Sequence, residues 1–224
     1  MKTITFTSAF AWRLLIVISA VAGLQTGDHP LAYFTSLTNV MAAGYFTCLL
    51  YSMATTKQAT AVAPRLKGAI TLYLLITALV AHFMLQHGAN PLPGLVHPGH
   101  RLWNVSDFFV HYVTPVLVLS DWILFGPRRQ WAVRDAASWL LFPLGYAALV
   151  LVRAAVLPDY TPLYPYPFLD VAAHGYVWVG RQTGILLIAF AALSGVLVGA
   201  DRSLARLGAP APAGSSPAPL RAGD

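Results

Sequence analysis

The sequence predicts an all-α fold, a polytopic membrane protein built as a six-transmembrane-helix bundle, and three observations predict it. The chain is 57% hydrophobic and 10% charged, whereas a soluble domain carries roughly a quarter charged residues. Six continuous apolar stretches, near 9–25, 32–55, 68–87, 104–126, 136–157 and 175–200, are long enough to cross about 30 Å of hydrocarbon as helices. The basic residues alternate between the two ends of these stretches. Lys2 and Arg13 lie at the start of the first, Lys57, Arg65 and Lys67 between the second and third, Arg128, Arg129 and Arg134 between the fourth and fifth, and Arg202, Arg206 and Arg221 after the sixth. Only Arg101, Arg153 and Arg181 fall near the opposite face. Cytoplasmic loops collect lysine and arginine, so both termini are expected in the cytoplasm.

Taken in order, the first stretch lacks a small-x-small cleavage pattern ahead of a soluble domain, and five more follow it, so it is expected to be a span and not a cleaved signal. The second opens with a polar segment, Tyr33-Phe34-Thr35-Ser36-Leu37-Thr38-Asn39. The third ends at His82 and His87 and gives way to a loop, 88–103, that contains Pro91, Pro93 and Pro98. The fourth opens with Asn104-Val105-Ser106-Asp107 and carries His111 one turn later. Between the fifth and sixth stretches, Pro158, Pro162, Pro165 and Pro167 alternate with Tyr160, Tyr164, Tyr166 and Phe168. Proline cannot continue a helix and aromatics favour the headgroup layer, so this segment reads as a stiff extended cap, or a lid, over the bundle. The sixth stretch holds the pairs Gly180/Gly184 and Gly195/Gly199, expected to allow close helix packing. The runs are continuous and not alternating, which excludes a strand-built barrel. Residues 1–207 thus form one domain, and the Pro/Ala/Gly-rich 208–224 is expected to be a disordered cytoplasmic tail.

Several function classes drop out. Cys48 is the only cysteine, so an intrachain disulfide or a cysteine-built metal site is excluded. No phosphate-binding loop, HExxH motif or internal repeat is present, and Asn104-Val105-Ser106 matches a glycosylation pattern only by accident of position. The net charge of +6 follows from the topology pattern and from attraction to anionic headgroups. No basic face with base-reading elements accompanies it, so nucleic acid is not an expected partner. The expected partners are membrane lipids, and protein partners are unknown.

Polar groups inside the spans carry the functional signal, because each is costly in hydrocarbon. All seven histidines, His29, His82, His87, His97, His100, His111 and His174, fall at the face poor in lysine and arginine. Thr35, Thr38 and Asn39 stand at i, i+3 and i+4 and share one helix face. Asp107, His111 and Thr114 form a second stripe, in which a carboxylate one turn before a histidine can accept its N–H and fix its tautomer. His82, Arg153 and Arg181 lie at similar depth on the third, fifth and sixth stretches. Five helices thereby present a polar group to one outer layer.

Three segments in this order carry a resemblance: Tyr33 to Asn39; His111-Tyr112-Val113-Thr114-Pro115 with Ser120-Asp121-Trp122; and Tyr164-Pro165-Tyr166-Pro167-Phe168-Leu169-Asp170 with Gly175-Tyr176. Together they resemble the Pr6Pr-type bacterial membrane proteins, which are similar to the animal androgen-induced protein 1 and androgen-dependent TFPI-regulating protein family. The resemblance covers most of residues 10–200. It implies a multipass protein of the bacterial inner membrane. It also implies hydrolysis of lipid esters, such as fatty acid esters of hydroxy fatty acids, by an intramembrane threonine and histidine. The family histidine, with an acid ten positions later, corresponds to His111 and Asp121. The family threonine follows an apolar or aromatic pair and corresponds to Thr35, with Thr38 one turn away as the alternative.

The residues suit that chemistry. A threonine hydroxyl attacks the ester carbonyl, His111 takes its proton and returns it to the leaving alcohol, and Asp107 orients His111. Asn39, Arg181 or a buried tyrosine stands as oxyanion donor, and neither metal nor cofactor is required. Two other classes stay open. One is a haem or metal protein using His82, His111 or His174. The other is a non-catalytic lipid-binding protein whose outer polar layer holds a headgroup.

Overall fold

The computed structural model describes residues 2–24, 30–58, 62–92 and 105–207. Expectations placed on His29, His97, His100, Arg101, Asn104, Arg221 and the 208–224 tail lie outside the described residues.

Six long helices run through the described residues, with no strand among them: α1 (Lys2–Leu24), α2 (Phe34–Thr56), α3 (Pro64–Leu85), α4 (Val105–Phe125), α5 (Val133–Val156) and α6 (Tyr176–Leu207). Five of these, α1 and α3 to α6, are long and apolar enough to cross a membrane. The exception is α2. Its 23 residues match a span in length, but Thr35, Ser36, Thr38, Asn39 and the threonines and serine of its last turns dilute its hydropathy. The helix that departs from the apolar pattern is therefore the one carrying the expected polar face. Several helices also outrun their apolar stretches. α3 starts at Pro64, where a missing N–H costs nothing at the first helical position, and α6 continues to Leu207.

Two cores hold the bundle. Phe46, Leu49 and Met53 of α2 pack with Ile16 of α1, Ile70 and Leu74 of α3 and Val118 of α4. Leu72 and Tyr73 of α3, Trp122 of α4, Trp131 from the connection before α5, Trp139 and Val150 of α5 and Val179 of α6 build the second. Glycines set two close approaches. A Cβ on Gly23 would meet Val110 Cγ1 at 2.5 Å, and one on Gly68 would meet the Trp139 ring at 2.5 Å. The GxxxG pairs of α6 behave otherwise. Gly180, Gly184, Gly195 and Gly199 have no neighbour within 4 Å of an added Cβ, because they lie on a face of α6 that no other described helix covers.

Four irregularities mark the helices and the segment between α5 and α6. In α3 and α4 the helix relaxes into π turns, over Val80–Leu85 and Phe109–Val113. In α4 the cause is Pro115, which has no N–H for the His111 carbonyl and whose ring crowds that turn. The helix inserts one residue, so that Thr114 N–H reaches back to Phe109 O. In α5, Pro143 likewise leaves the Trp139 carbonyl without its helical donor, and the Tyr73 hydroxyl fills the gap at 2.9 Å. Finally, the proline-aromatic segment is a folded turn and not the extended cap expected. Arg153 Nη2 donates to the carbonyls of Pro162 and Leu163 at 3.2 and 3.4 Å, and its guanidinium lies 4.1 Å over the Tyr160 ring. Residues Pro167–Leu169 form a 3-10 turn, which buries Tyr166 and Leu169 against the helices. Gly175, at φ 78°, breaks the chain before α6.

Candidate functional site

Thr35 is the second residue of α2 and is buried. A helix leaves its first N–H groups without internal partners, so Thr35 presents both a hydroxyl and a main-chain N–H at the helix end. The hydroxyl lies 3.3 Å from His111 Nε2 and 3.3 Å from the Tyr166 hydroxyl. The N–H donates to the same tyrosine oxygen at 3.3 Å.

The π turn fixes the histidine. His111 Nδ1 lies 2.9 Å from the carbonyl oxygen of Asp107, four residues earlier. A carbonyl only accepts, so Nδ1 carries the proton in the neutral ring. Nε2 is then left with a bare lone pair facing Thr35 Oγ1, the arrangement a general base needs. The tautomer-fixing bond was expected from the Asp107 carboxylate; the acceptor found against Nδ1 is the Asp107 main-chain oxygen. The inserted residue also turns the rest of the stripe away. Thr114 bonds Ser19 of α1 at 2.7 Å, whereas His111 faces α2.

The neighbours of Thr35 hold its backbone. Thr38 Oγ1 donates to the Thr35 carbonyl at 2.9 Å and lies 3.2 Å from Thr77 Oγ1. Asn39 Nδ2 donates to the same Thr35 carbonyl at 2.9 Å and to the Val110 carbonyl at 3.3 Å. Asn39 thus ties the start of α2 to the π turn of α4. Thr38 and Asn39 share the buried face with Thr35, and both have their donors committed to main-chain oxygens.

Thr35, His111 and Tyr166 line one end of a cavity of ≈ 70 Å³ between α3, α5 and α6. Thr77 and Thr183 also line it, and the rest of its wall is mostly apolar, with Ile76, Val80, Leu144, Leu187 and Phe190 among the lining residues. Leu144 is also exposed on the outer surface of α5. A volume of about 10–15 Å³ on this measure holds one water, so the cavity has room for an ester group and an attacking water.

Other expected site residues go elsewhere. Asp121, matched by the resemblance to the family's acidic residue, lies toward the opposite end of α4 from His111. It accepts from Arg13 Nε at 3.0 Å and from Lys67 Nζ, and Arg13 and Asp121 are both 0% exposed. Two buried cations demand a carboxylate partner, and that demand places Asp121 with them, away from His111. Arg181 is exposed on α6, and Arg153 is committed to the proline-aromatic turn. His82 Nδ1 pairs with the Tyr112 hydroxyl at 2.8 Å. His174 is exposed and stacks on Trp178 at 4.1 Å between ring centroids. Among the described residues, no group of three or more His, Cys, Asp or Glu is placed to hold a metal ion.

The residue that sequence reasoning left unassigned is Tyr166. The signal was present, since an aromatic among prolines on a rigid segment is a side chain held in place, but four aromatics shared it. Burial pushes the Tyr166 hydroxyl pKa up, opposed by its bonds with Thr35, so it stays a proton donor into the alkaline range. Comparisons of this chain with protein-family models, with curated proteins and with solved structures find no match.

Proposed function

We propose that this protein is a six-span bacterial inner-membrane hydrolase of lipid esters, with Thr35 as nucleophile, His111 as general base and acid, and both termini in the cytoplasm. One observation carries the reading. His111 donates its Nδ1–H to the Asp107 carbonyl and faces the Thr35 hydroxyl with Nε2 at the wall of a mostly apolar cavity. The resemblance to the androgen-induced protein 1 and androgen-dependent TFPI-regulating protein family supports the same pair of residues and the ester substrate class. Fatty acid esters of hydroxy fatty acids, or similar lipid esters, are the substrates it implies. The bilayer positions the ester, whose chains reach the cavity sideways past Leu144 on α5.

In the first half-reaction Thr35 Oγ1 attacks the ester carbonyl carbon as its proton passes to His111 Nε2. The tetrahedral adduct collapses with cleavage of the carbon–oxygen bond to the alcohol, which leaves with the proton from Nε2. In the second half-reaction water attacks the acyl-threonine, and its proton goes to Nε2. The carbon–Oγ1 bond breaks, Oγ1 recovers that proton, and the fatty acid departs. Thr38 is a positioning residue here, because its hydroxyl proton is spent on the Thr35 carbonyl.

The test is hydrolysis of a panel of long-chain lipid esters by detergent-purified protein, comparing wild type with Thr35→Ala, Thr38→Ala and His111→Ala. Loss of activity in Thr35→Ala and His111→Ala, with folding intact, is the expected result. Activity that survives both changes would overturn the assignment.

A further inference from the structure

We propose that Tyr166 is a catalytic residue of this site, its hydroxyl and the Thr35 main-chain N–H forming the oxyanion hole. This rests on the reading of Thr35 and His111 as a hydrolase pair.

An oxyanion donor must sit beside the nucleophile, have an uncommitted proton, and be rigid before the reaction begins. Three other donors fail the second condition or lie elsewhere. Asn39 spends its amide on the Thr35 and Val110 carbonyls. The Tyr146 hydroxyl donates to the Ala32 carbonyl at 2.8 Å. Arg181 is exposed on α6. Tyr166 differs from all three. Its oxygen accepts the Thr35 N–H and lies 3.3 Å from Thr35 Oγ1. Its own proton therefore points to the nucleophile or to whatever oxygen bonds to it.

Rigidity comes from the turn. The Tyr166 ring stacks on Phe168 with centroids 5.2 Å apart and planes 5° apart. Tyr33 and Tyr146 meet it edge-on at 6.2 and 6.1 Å. Arg153 ties down the preceding carbonyls. Thr35 lies in the first turn of a 23-residue helix, whose positive end adds to the field at the same point.

As Oγ1 bonds to the carbonyl carbon, the carbonyl oxygen gains the electron pair. The Tyr166 hydroxyl hydrogen then rotates about its C–O bond from Oγ1 to that oxygen, while Thr35 N–H, fixed in the helix backbone, is shared between the tyrosine oxygen and the new oxyanion. When the adduct collapses the pair returns to the carbonyl and both donors return to their starting partners. No proton leaves Tyr166.

The experiment uses the full chain in detergent, a long-chain p-nitrophenyl ester as substrate, and a long-chain trifluoromethyl ketone that forms a tetrahedral adduct with the nucleophile. Tyr166→Phe removes one oxygen and keeps the ring stack. We expect kcat to fall by about 10²–10³-fold, with KM within about threefold and ketone affinity falling in parallel with kcat. The corresponding unfluorinated alkane binds as before. If kcat stays within about fivefold of wild type, or falls without loss of ketone affinity, Tyr166 is not the oxyanion donor, although an inactive Thr35→Ala would leave the hydrolase reading standing. If Thr35→Ala remains active, or wild type neither cleaves the ester nor binds the ketone, the hydrolase reading fails and this assignment with it. Should Tyr166→Phe not fold, 3-fluorotyrosine at position 166 alters donor acidity alone. Unchanged ketone affinity in that protein overturns the proposal.

Discussion

The two ends of α4 hold two buried polar clusters that solve opposite problems. At one end His111 meets Thr35, and Tyr166 lies beside them. The groups are neutral, the hydrogen bonds are 3.3 Å long, and a cavity adjoins them. Ten residues on, about 15 Å along the helix, Asp121 lies between Arg13 and Lys67 in a cluster of formal charges with no exposed side chain. Arg13 Nη1 even turns to the Met53 sulfur at 2.9 Å, while Nη2 has no partner. The charged cluster carries two cations against one carboxylate and is closed on every side. The neutral cluster has longer hydrogen bonds and an adjoining cavity. Polar burial alone therefore does not single out the proposed site; the cavity beside Thr35 and His111 is what separates the two clusters.

This contrast predicts a separation of phenotypes. The largest expected effect is on chemistry: His111→Ala should lower ester hydrolysis by roughly 10³-fold or more, with the thermal midpoint in detergent within a few degrees of wild type. Asp121→Asn should do the reverse. Removing one partner of a buried ion pair costs about 3–5 kcal/mol, so the midpoint should fall by roughly 10 °C, while the folded fraction keeps its hydrolytic rate. A rate lost in step with His111→Ala would join the two clusters and break the comparison. Lys67→Met sharpens it further. It leaves Arg13 and Asp121 as a balanced pair, so stability should change by less than about 1 kcal/mol, as read from the same thermal scans. A modest effect is expected for Thr38→Val, which removes the bonds of its hydroxyl to the Thr35 carbonyl and to Thr77 Oγ1, worth about 1 kcal/mol each. Its kcat should fall by less than about tenfold, against near-complete loss in Thr35→Ala.

Much of this division was legible in the sequence. Continuous apolar runs gave ten of the twelve helix ends within four residues, with α1 starting seven residues earlier and α6 ending seven later than expected, because hydrophobicity over about 20 positions is a strong constraint. The polar opening of α2 and His111 on α4 were visible as costly groups in hydrocarbon, and the structure brings Thr35 and His111 into contact. Helical spacing misled where the helix is not regular. The stripe through Asp107, His111 and Thr114 assumed an unbroken α-helix, and the π turn sends Thr114 to Ser19 instead. Pro115, four residues after His111, was the available sign of that distortion. Asp121 was illegible for a different reason. Its assignment depends on Arg13 and Lys67, which read as topology signals at the helix ends, and only the packing of three helices shows that both turn inward. Tyr166 needed the fold of the proline-aromatic turn, a non-local fact that periodicity does not encode.

The central claim is that Thr35 is the nucleophile, and the most direct measurement is covalent trapping. Wild-type protein in detergent is treated with a long-chain alkyl fluorophosphonate, digested and mapped by mass spectrometry, alongside His111→Ala. The account predicts one phosphonyl adduct on Oγ1 of Thr35 in wild type and a much slower reaction in the His111 variant. An adduct on Thr38 or elsewhere, or equal labelling without His111, would contradict it.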